Sequence, residues 1–445
     1  MKTATRDAKQ SSFFLMLFVD RLLVVALIMM VCVFVTITTK FEKFRDTLIN
    51  RRNAYFDDKN KTNNDRIMCV LCAIVNTLEK AKKKIPPLSF SNAKEKEKTN
   101  VEERLNSNTS SSLSFVDEII NEKKKKRIDT NKNVSKESLE EELRELRNWS
   151  FDAFTYASSK DKEFPLARLF MAAFDVFANG GVGERKREDV KEIFALINRE
   201  KLFEFAQSIE HGYVGVDALP YHNVAHGCEV VHATFAILTD VITEETVMDP
   251  LSVFSLLVAA IGHDCYHPGC DNATLAKDRV DIKRRYNGQS LSEMVSCEVT
   301  LELLRRSGAL QSDDGLTTSQ IAFVEDVVAT SILSTDLSKH EENLKKNTAE
   351  NAAQIVLKSA DLAHFARPRE LHLKWVHAAM DEQRRNTKRQ VGVKDGHVDW
   401  KNQVFFAETF VLPTFATLSG NVSVGSTPMY EYAKTNVEKS RELIV

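Results

Sequence analysis

The sequence predicts an all-α fold, and three observations carry that prediction. Apolar residues recur at three- and four-residue spacing through DVKEIFALINREKLFEFAQSIEHGY, VVHATFAILTDVI and TSQIAFVEDVVATSIL, the period of helices that bury one face. Long β-branched alternating runs, the mark of half-buried strands, do not occur. Neither a nucleotide-binding glycine loop nor an internal repeat is present. A compact multi-helix domain is expected from residue 138 to residue 445, preceded by an apolar helix and a linker.

Taken in order, residues 1–12 read as an N-terminal tail and 13–39 as a transmembrane helix. Leu22 to Thr39 is an uncharged apolar run of 18 residues, extended upstream by FFLMLFV and interrupted only by Asp20 and Arg21. That length spans a bilayer core, and no convincing small-residue cleavage site follows to make it a signal peptide. Lys40, Lys43, Arg45, Arg51 and Arg52 follow the span, against Lys2, Arg6, Lys9 and Arg21 before it. The balance slightly favours a single-pass protein whose C-terminal domain faces the cytoplasm. Residues 40–90 form a charged, helix-prone juxtamembrane segment. Residues 91–137, with SNTSSS and EKKKKR, have too little apolar surface to offset the entropy of ordering and read as a flexible charged linker. Lys123 to Arg127 can touch anionic lipid, although a solvated charge run is the plainer reading. Ser138 and Glu141 fit a capping box that opens the domain, with Leu139, Leu143 and Leu146 on one face.

The chain has 445 residues, 43% of them hydrophobic and 28% charged, which suits a globular protein. Its net charge of −2 provides no overall field for nucleic acid. Seven cysteines without regular spacing read as reduced thiols; Cys69 and Cys72 lack the second pair a zinc site needs. The eleven histidines all lie from His211 onward, so the chemistry is expected in the later part of the chain.

Three stretches concentrate that chemistry. In YHNVAHGCEVVHATFAIL, His222 and His226 are four residues apart, on one face of a helix. In AAIGHDCYHPGCDN, His263, Asp264 and His267 close an apolar segment, where unpaired acids and imidazoles need a compensating charge. In KSADLAHFARP, Asp361 follows the short apolar run Ala353 to Leu357. Two imidazoles and two carboxylates at the edges of separate helices suit a metal site with positions left open for water. Their coincidence implies a histidine–aspartate metal phosphohydrolase.

From about Asn148 onward, the chain resembles the catalytic domain of class I 3′,5′-cyclic-nucleotide phosphodiesterases, an all-α HD-type fold. NWSFDAF, YHNVAH, HDCYHPGCDN, YNGQSLSE, STDLSKH, SADL and NQVFF carry the resemblance in the family's order. It implies His226, His263, Asp264 and Asp361 as metal ligands, with Asp264 touching both of two divalent ions, Zn2+ beside Mg2+ or Mn2+. By the same resemblance, His222 is the general acid and Glu382 the acid that orients it. His267, Asn272, Glu293, Thr335 and Asp336 match the surrounding network of hydrogen bonds and water. Tyr221, His364, Gln403 and Phe406 match residues around the substrate: Gln403 would bond the purine edge and Phe406 would clamp the ring. The expected reaction is hydrolysis of cyclic AMP, cyclic GMP or both to 5′-nucleoside monophosphates. The family's tendency to form a homodimer makes the helix after Ser138 a candidate face.

The chain departs from the family in several places. Met294, Val295 and Ser296 replace Asn-His-His after Glu293. Glu229 replaces an aspartate, and Ala363, His364 and Phe365 replace Ser-Asn-Pro after SADL. The segment from Glu382 to Gln403 is also shorter. These changes motivate an alternative, a catalytically impaired relative that binds cyclic nucleotide or partners at a membrane. Another HD-type phosphohydrolase would act on nucleoside triphosphates and would leave Gln403 with Phe406 unexplained.

Overall fold

The computed structural model describes residues 117, 136–181, 187–215, 217–243, 248–311, 315–345, 348–388, 398–422 and 427–444. The expected transmembrane helix, the juxtamembrane segment and nearly all of the linker lie outside the described residues. Among the described residues, no helix is long and apolar enough to cross a membrane, and every regular element is helical.

The N-terminal layer runs α1 (Lys136–Leu146), α2 (Ala153–Ala157), α3 (Pro165–Ala178), α4 (Glu188–Ala195) and α5 (Arg199–Glu210). Ser138 falls inside α1 rather than ahead of it, so the expected capping box does not open the domain. Leu146 is buried in the core and Leu143 packs against it, so two of the three leucines offered for dimerisation meet the domain's own core.

Two helices form the centre. In α6 (Val224–Thr243), Val230 and Val231 are buried along with Cys228, Glu229 and His232. Every residue of α7 (Pro250–Gly262) from Val253 onward is buried, as expected of a helix apolar on all sides. Asp249 caps α7 through the Leu251 N–H, with Pro250 in the first turn. Around these helices lie α8 (Asn272–Asp278), α9 (Val280–Arg285), α10 (Leu291–Ser307), α11 (Thr318–Ser334), α12 (His340–Lys345) and α13 (Thr348–Asp361). Helices α7 and α13 pack on each other and each packs on both α6 and α11. Asp271 caps α8, and Thr317 with Gln320 forms a capping box on α11.

A 3₁₀ turn, Ala363–Ala366, leads into α14 (Arg369–Lys388); α15 (Trp400–Phe406), α16 (Leu412–Thr417) and α17 (Thr427–Arg441) complete the domain. The packing brings the start of α6, the end of α7 and the end of α13 to one place. Gly262 permits this: a Cβ there would meet the Thr300 hydroxyl oxygen of α10 at 2.3 Å and its methyl at 2.5 Å. A residue with any side chain would push α10 off the end of α7.

Candidate active site

Each of these helix ends supplies part of one cluster. Asn223 accepts the N–H groups of Ala225 at 2.8 Å and His226 at 3.3 Å, starting α6 so that His226 points inward. His263 directly follows α7; its Nδ1–H donates to Ala260 O at 2.9 Å, which leaves the Nε2 lone pair facing the cluster. Asp361 is the last residue of α13.

His226 Nε2 lies 3.1 Å from Asp361 Oδ1 and 3.3 Å from Asp264 Oδ2. His263 Nε2 lies 3.3 Å from Asp264 Oδ2, 3.7 Å from Asp361 Oδ1 and 3.3 Å from His226 Nε2. A tetrahedral ion with ligand bonds of roughly 2.0–2.1 Å requires ligand-to-ligand edges of about 3.3 Å. The donor set therefore fits a divalent cation in both atom type and spacing. Both histidines are buried, while the two carboxylates keep 14% and 21% side-chain exposure, so the cluster opens on its acidic side.

The electrostatics agree. Burial, the largest influence on His263, opposes its charge, yet Asp264 and Asp361 outweigh it and push the imidazole up to about 10. His226 is raised by the same two carboxylates against its burial. Burial likewise works against charge on Asp264 and Asp361, but the neighbouring histidines hold both carboxyls well below the usual range. The pocket stabilises positive charge, which a bound cation supplies in place of protons.

His222 stands beside this cluster, with Nε2 4.0 Å from Asp264 Oδ2. Its Nδ1–H donates to Glu382 Oε1, while Glu382 Oε2 accepts the backbone N–H groups of Tyr221 and His222, each at 2.9 Å. Glu382 is held down at about 2; burial opposes this, and the bond from His222 overrides it. The His267 ring stacks on His222 with centroids 3.7 Å apart. Burial first, and the adjacent His222 second, bring His267 down to about 3. Gly269 N–H donates to His267 Nδ1 at 3.1 Å, placing the ring proton on Nε2.

Of the other predicted residues, two form a pair, two bond their neighbours, and those with rings join an aromatic cluster. Asn272 Nδ2 donates to Glu293 Oε2 at 2.9 Å. Asp336 accepts Ser290 Oγ–H at 2.6 Å and Ser338 N–H at 2.8 Å, and the Thr335 hydroxyl turns back to Ile332 O at 2.8 Å. Tyr221 contacts the rings of His226 and Trp375. Phe406 stacks on Phe365 with centroids 5.9 Å apart, and Gln403 Nε2 donates to the Met380 sulfur at 3.2 Å.

A family model of 3′5′-cyclic nucleotide phosphodiesterase matches residues 221–431. The matched segment holds the whole four-residue cluster together with His222 and Glu382. The Dictyostelium discoideum 3′,5′-cyclic-nucleotide phosphodiesterase regA is 28% identical over 249 residues, covering 53% of this chain and 29% of that protein. A mouse dual-specificity calcium/calmodulin-dependent phosphodiesterase, 1C, is 24% identical over 276 residues, covering 56% of this chain and 39% of its own. The chain thus spans about a third of the length of these relatives. The phosphodiesterase domain of a Salpingoeca rosetta rhodopsin phosphodiesterase superposes with TM-score 0.55 at 22% identity, covering 67% of this chain and 92% of that one. Yeast caPDE2 in complex with IBMX superposes at 0.54 and 19% identity, covering 74% and 73%. The all-helical fold is that of phosphodiesterase domains.

Within the matched segment, the departures have local consequences. Ser296 donates to Cys265 O at 2.9 Å and Thr300 to Gly262 O at 3.2 Å. The altered stretch of α10 therefore still holds the turn that carries His263 and Asp264. Glu229 accepts Arg367 Nε–H at 2.7 Å, and Arg367, fully buried, also bonds His232 Nδ1 at 2.8 Å and Trp149 O at 3.0 Å. The longer acid is the anchor of a buried network tying α6 to the segment after Asp361. His364 is buried, its Nδ1 3.3 Å from His372 Nδ1. Sequence reasoning missed Asn223, Arg367 and His372. It also missed Lys358, one turn before Asp361, whose buried ammonium donates to Ser334 O at 3.1 Å. The spacing of Lys358 and Asp361 on one helix was the available signal.

Proposed function

We propose that the protein hydrolyses 3′,5′-cyclic nucleotides (cyclic AMP, cyclic GMP or both) to 5′-nucleoside monophosphates at a two-metal centre. The observation that carries this reading is the convergence of four ligand atoms, with His222 beside them. His226, His263, Asp264 and Asp361 would hold a zinc-like ion. Asp264 would be shared with a magnesium or manganese ion bound largely through water, as suits a hard cation. When bound, the ions supply a nucleophile near neutral pH and offset charge on the phosphate oxygens.

The protein's own groups account for the rest. Glu382 keeps the His222 proton on Nδ1 and stabilises the ring when it is charged. His222 Nε2 faces Asp264, where it can deliver a proton to the departing 3′ oxygen; such help is typically worth about 10²- to 10⁴-fold. Phe406 offers an aromatic face for a flat base. Gln403 donates to a thioether, a weak acceptor, so its amide can present either end to a purine edge. This supports accommodation of both nucleotides.

Residues 13–39 would hold the domain at a membrane as a single-pass helix, with the catalytic part in the cytoplasm. The uncharged run Leu22 to Thr39 and the basic residues after it support this reading. Two experiments test the proposal. The full chain should convert cyclic AMP and cyclic GMP to 5′-monophosphates with magnesium present and lose that turnover in chelator; chelator-resistant turnover would contradict it. Removal of residues 1–40 should release the protein from the membrane fraction, and its retention would refute the anchor.

A further inference from the structure

The geometry points to Tyr213 as the positioning residue that holds His263 and Asp264 in one frame for the metal. This rests on the metal-binding reading above. Helix α7 ends at Gly262, so its last carbonyls have no helical partner. Side chains take them up: His263 bonds Ala260 O, Thr300 bonds Gly262 O, and Ser296 bonds Cys265 O just beyond. Tyr213 differs from these because it binds on both sides of His263. Its O–H donates to Ile261 O at 3.0 Å, and its oxygen accepts the Asp264 N–H at 3.3 Å. One hydroxyl thus spans the peptide segment containing His263.

Tyr213 lies in the connection between α5 and α6 and is 8% exposed. The connection is itself seated on the turn. Gly212 O accepts the Tyr266 N–H at 3.0 Å, and a Cβ on Gly212 would meet the Cys265 sulfur at 2.3 Å. Only glycine allows the backbone approach that presents Tyr213. Without the hydroxyl, a buried carbonyl and a buried N–H lose their shared partner. The turn would then relax where ligand positions matter to about ±0.2 Å. Gln403 and Phe406 come from a different element, so substrate affinity is not expected to follow.

The test uses the full chain loaded with zinc, with 4-(2-pyridylazo)resorcinol as the acceptor whose colour reports zinc release. Tyr213→Phe should release zinc roughly tenfold faster and lower kcat by about tenfold, the scale seen when groups supporting metal ligands are removed. KM for cyclic nucleotide should stay within about twofold. Tyr156→Phe makes the same chemical change at a buried tyrosine bonded to Glu142. It should lower Tm without changing zinc release. Wild-type release from Tyr213→Phe, or equal acceleration by Tyr156→Phe, would overturn the inference. If Tyr213→Phe does not fold, 4-aminophenylalanine at 213 keeps a donor for Ile261 O but accepts poorly from Asp264. It should release zinc at an intermediate rate, and a wild-type rate would again overturn the inference. A wild-type chain that takes up no zinc would instead overturn the metal reading, and this inference with it.

Discussion

Glu382 accepts hydrogen bonds from three groups: the N–H of Tyr221, the N–H of His222 and the His222 ring. One carboxylate thus fixes both the backbone and the ring of the proposed acid, from a helix 160 residues away in sequence. Glu382→Gln should keep the shape but weaken the hold on the ring, lowering kcat by about 10²-fold, at the low end for general acid–base help. His222→Ala should lower kcat by about 10²- to 10⁴-fold and leave metal content, measured by mass spectrometry, unchanged. Loss of metal with His222→Ala would make His222 a ligand and remove its role as acid. The four residues of the cluster were legible in the sequence because each sits at the edge of an apolar run, where an uncompensated charge is costly. Tyr213 was not, since a lone tyrosine in a connection carries no pattern, and its partners are backbone groups 48 and 51 residues on.

Helix ends, more than helix faces, assemble the site. Gly262→Ala should destabilise the domain by about 1–3 kcal/mol, the usual range for overpacking. Thr300→Ala in the same chain should recover part of that loss by removing the colliding side chain, and a double-mutant cycle in urea measures the coupling. Additive effects would mean that α10 does not press on the end of α7. The helical periodicity of α5, α6 and α11 could be read directly from the sequence. The start of α1 could not, because Ser138 and Glu141 also satisfy the cap pattern from within a helix, and the chain enters the helical conformation two residues earlier. The leucines of α1 were legible as one apolar face, but sequence alone does not say whether such a face meets its own domain or a second copy. Here Leu143 and Leu146 meet the core.

Outside the cluster, His232, His364 and His372 are buried in the neutral state. Burial lowers His232 and His364 well below their ordinary value, and His372 is brought down to about 3 by burial and the nearby Arg369 charge. For such a base, stability is fully present above the unfolded value of 6.5 and is lost as pH falls from there towards 3. His372 alone should withdraw about 2 kcal/mol between neutral pH and pH 5 by this linkage. His372→Gln should shrink the difference in unfolding free energy between pH 7.5 and pH 5 by a similar amount, and an unchanged difference would show that His372 is not held neutral. Metal content and turnover of the zinc- and magnesium-loaded full chain, beside Asp264→Ala, test the central claim most directly. The wild type should hold metal and hydrolyse cyclic nucleotide; the variant should keep its near-ultraviolet circular dichroism while losing metal and all measurable turnover. Turnover in a folded, metal-depleted Asp264→Ala protein would contradict the account.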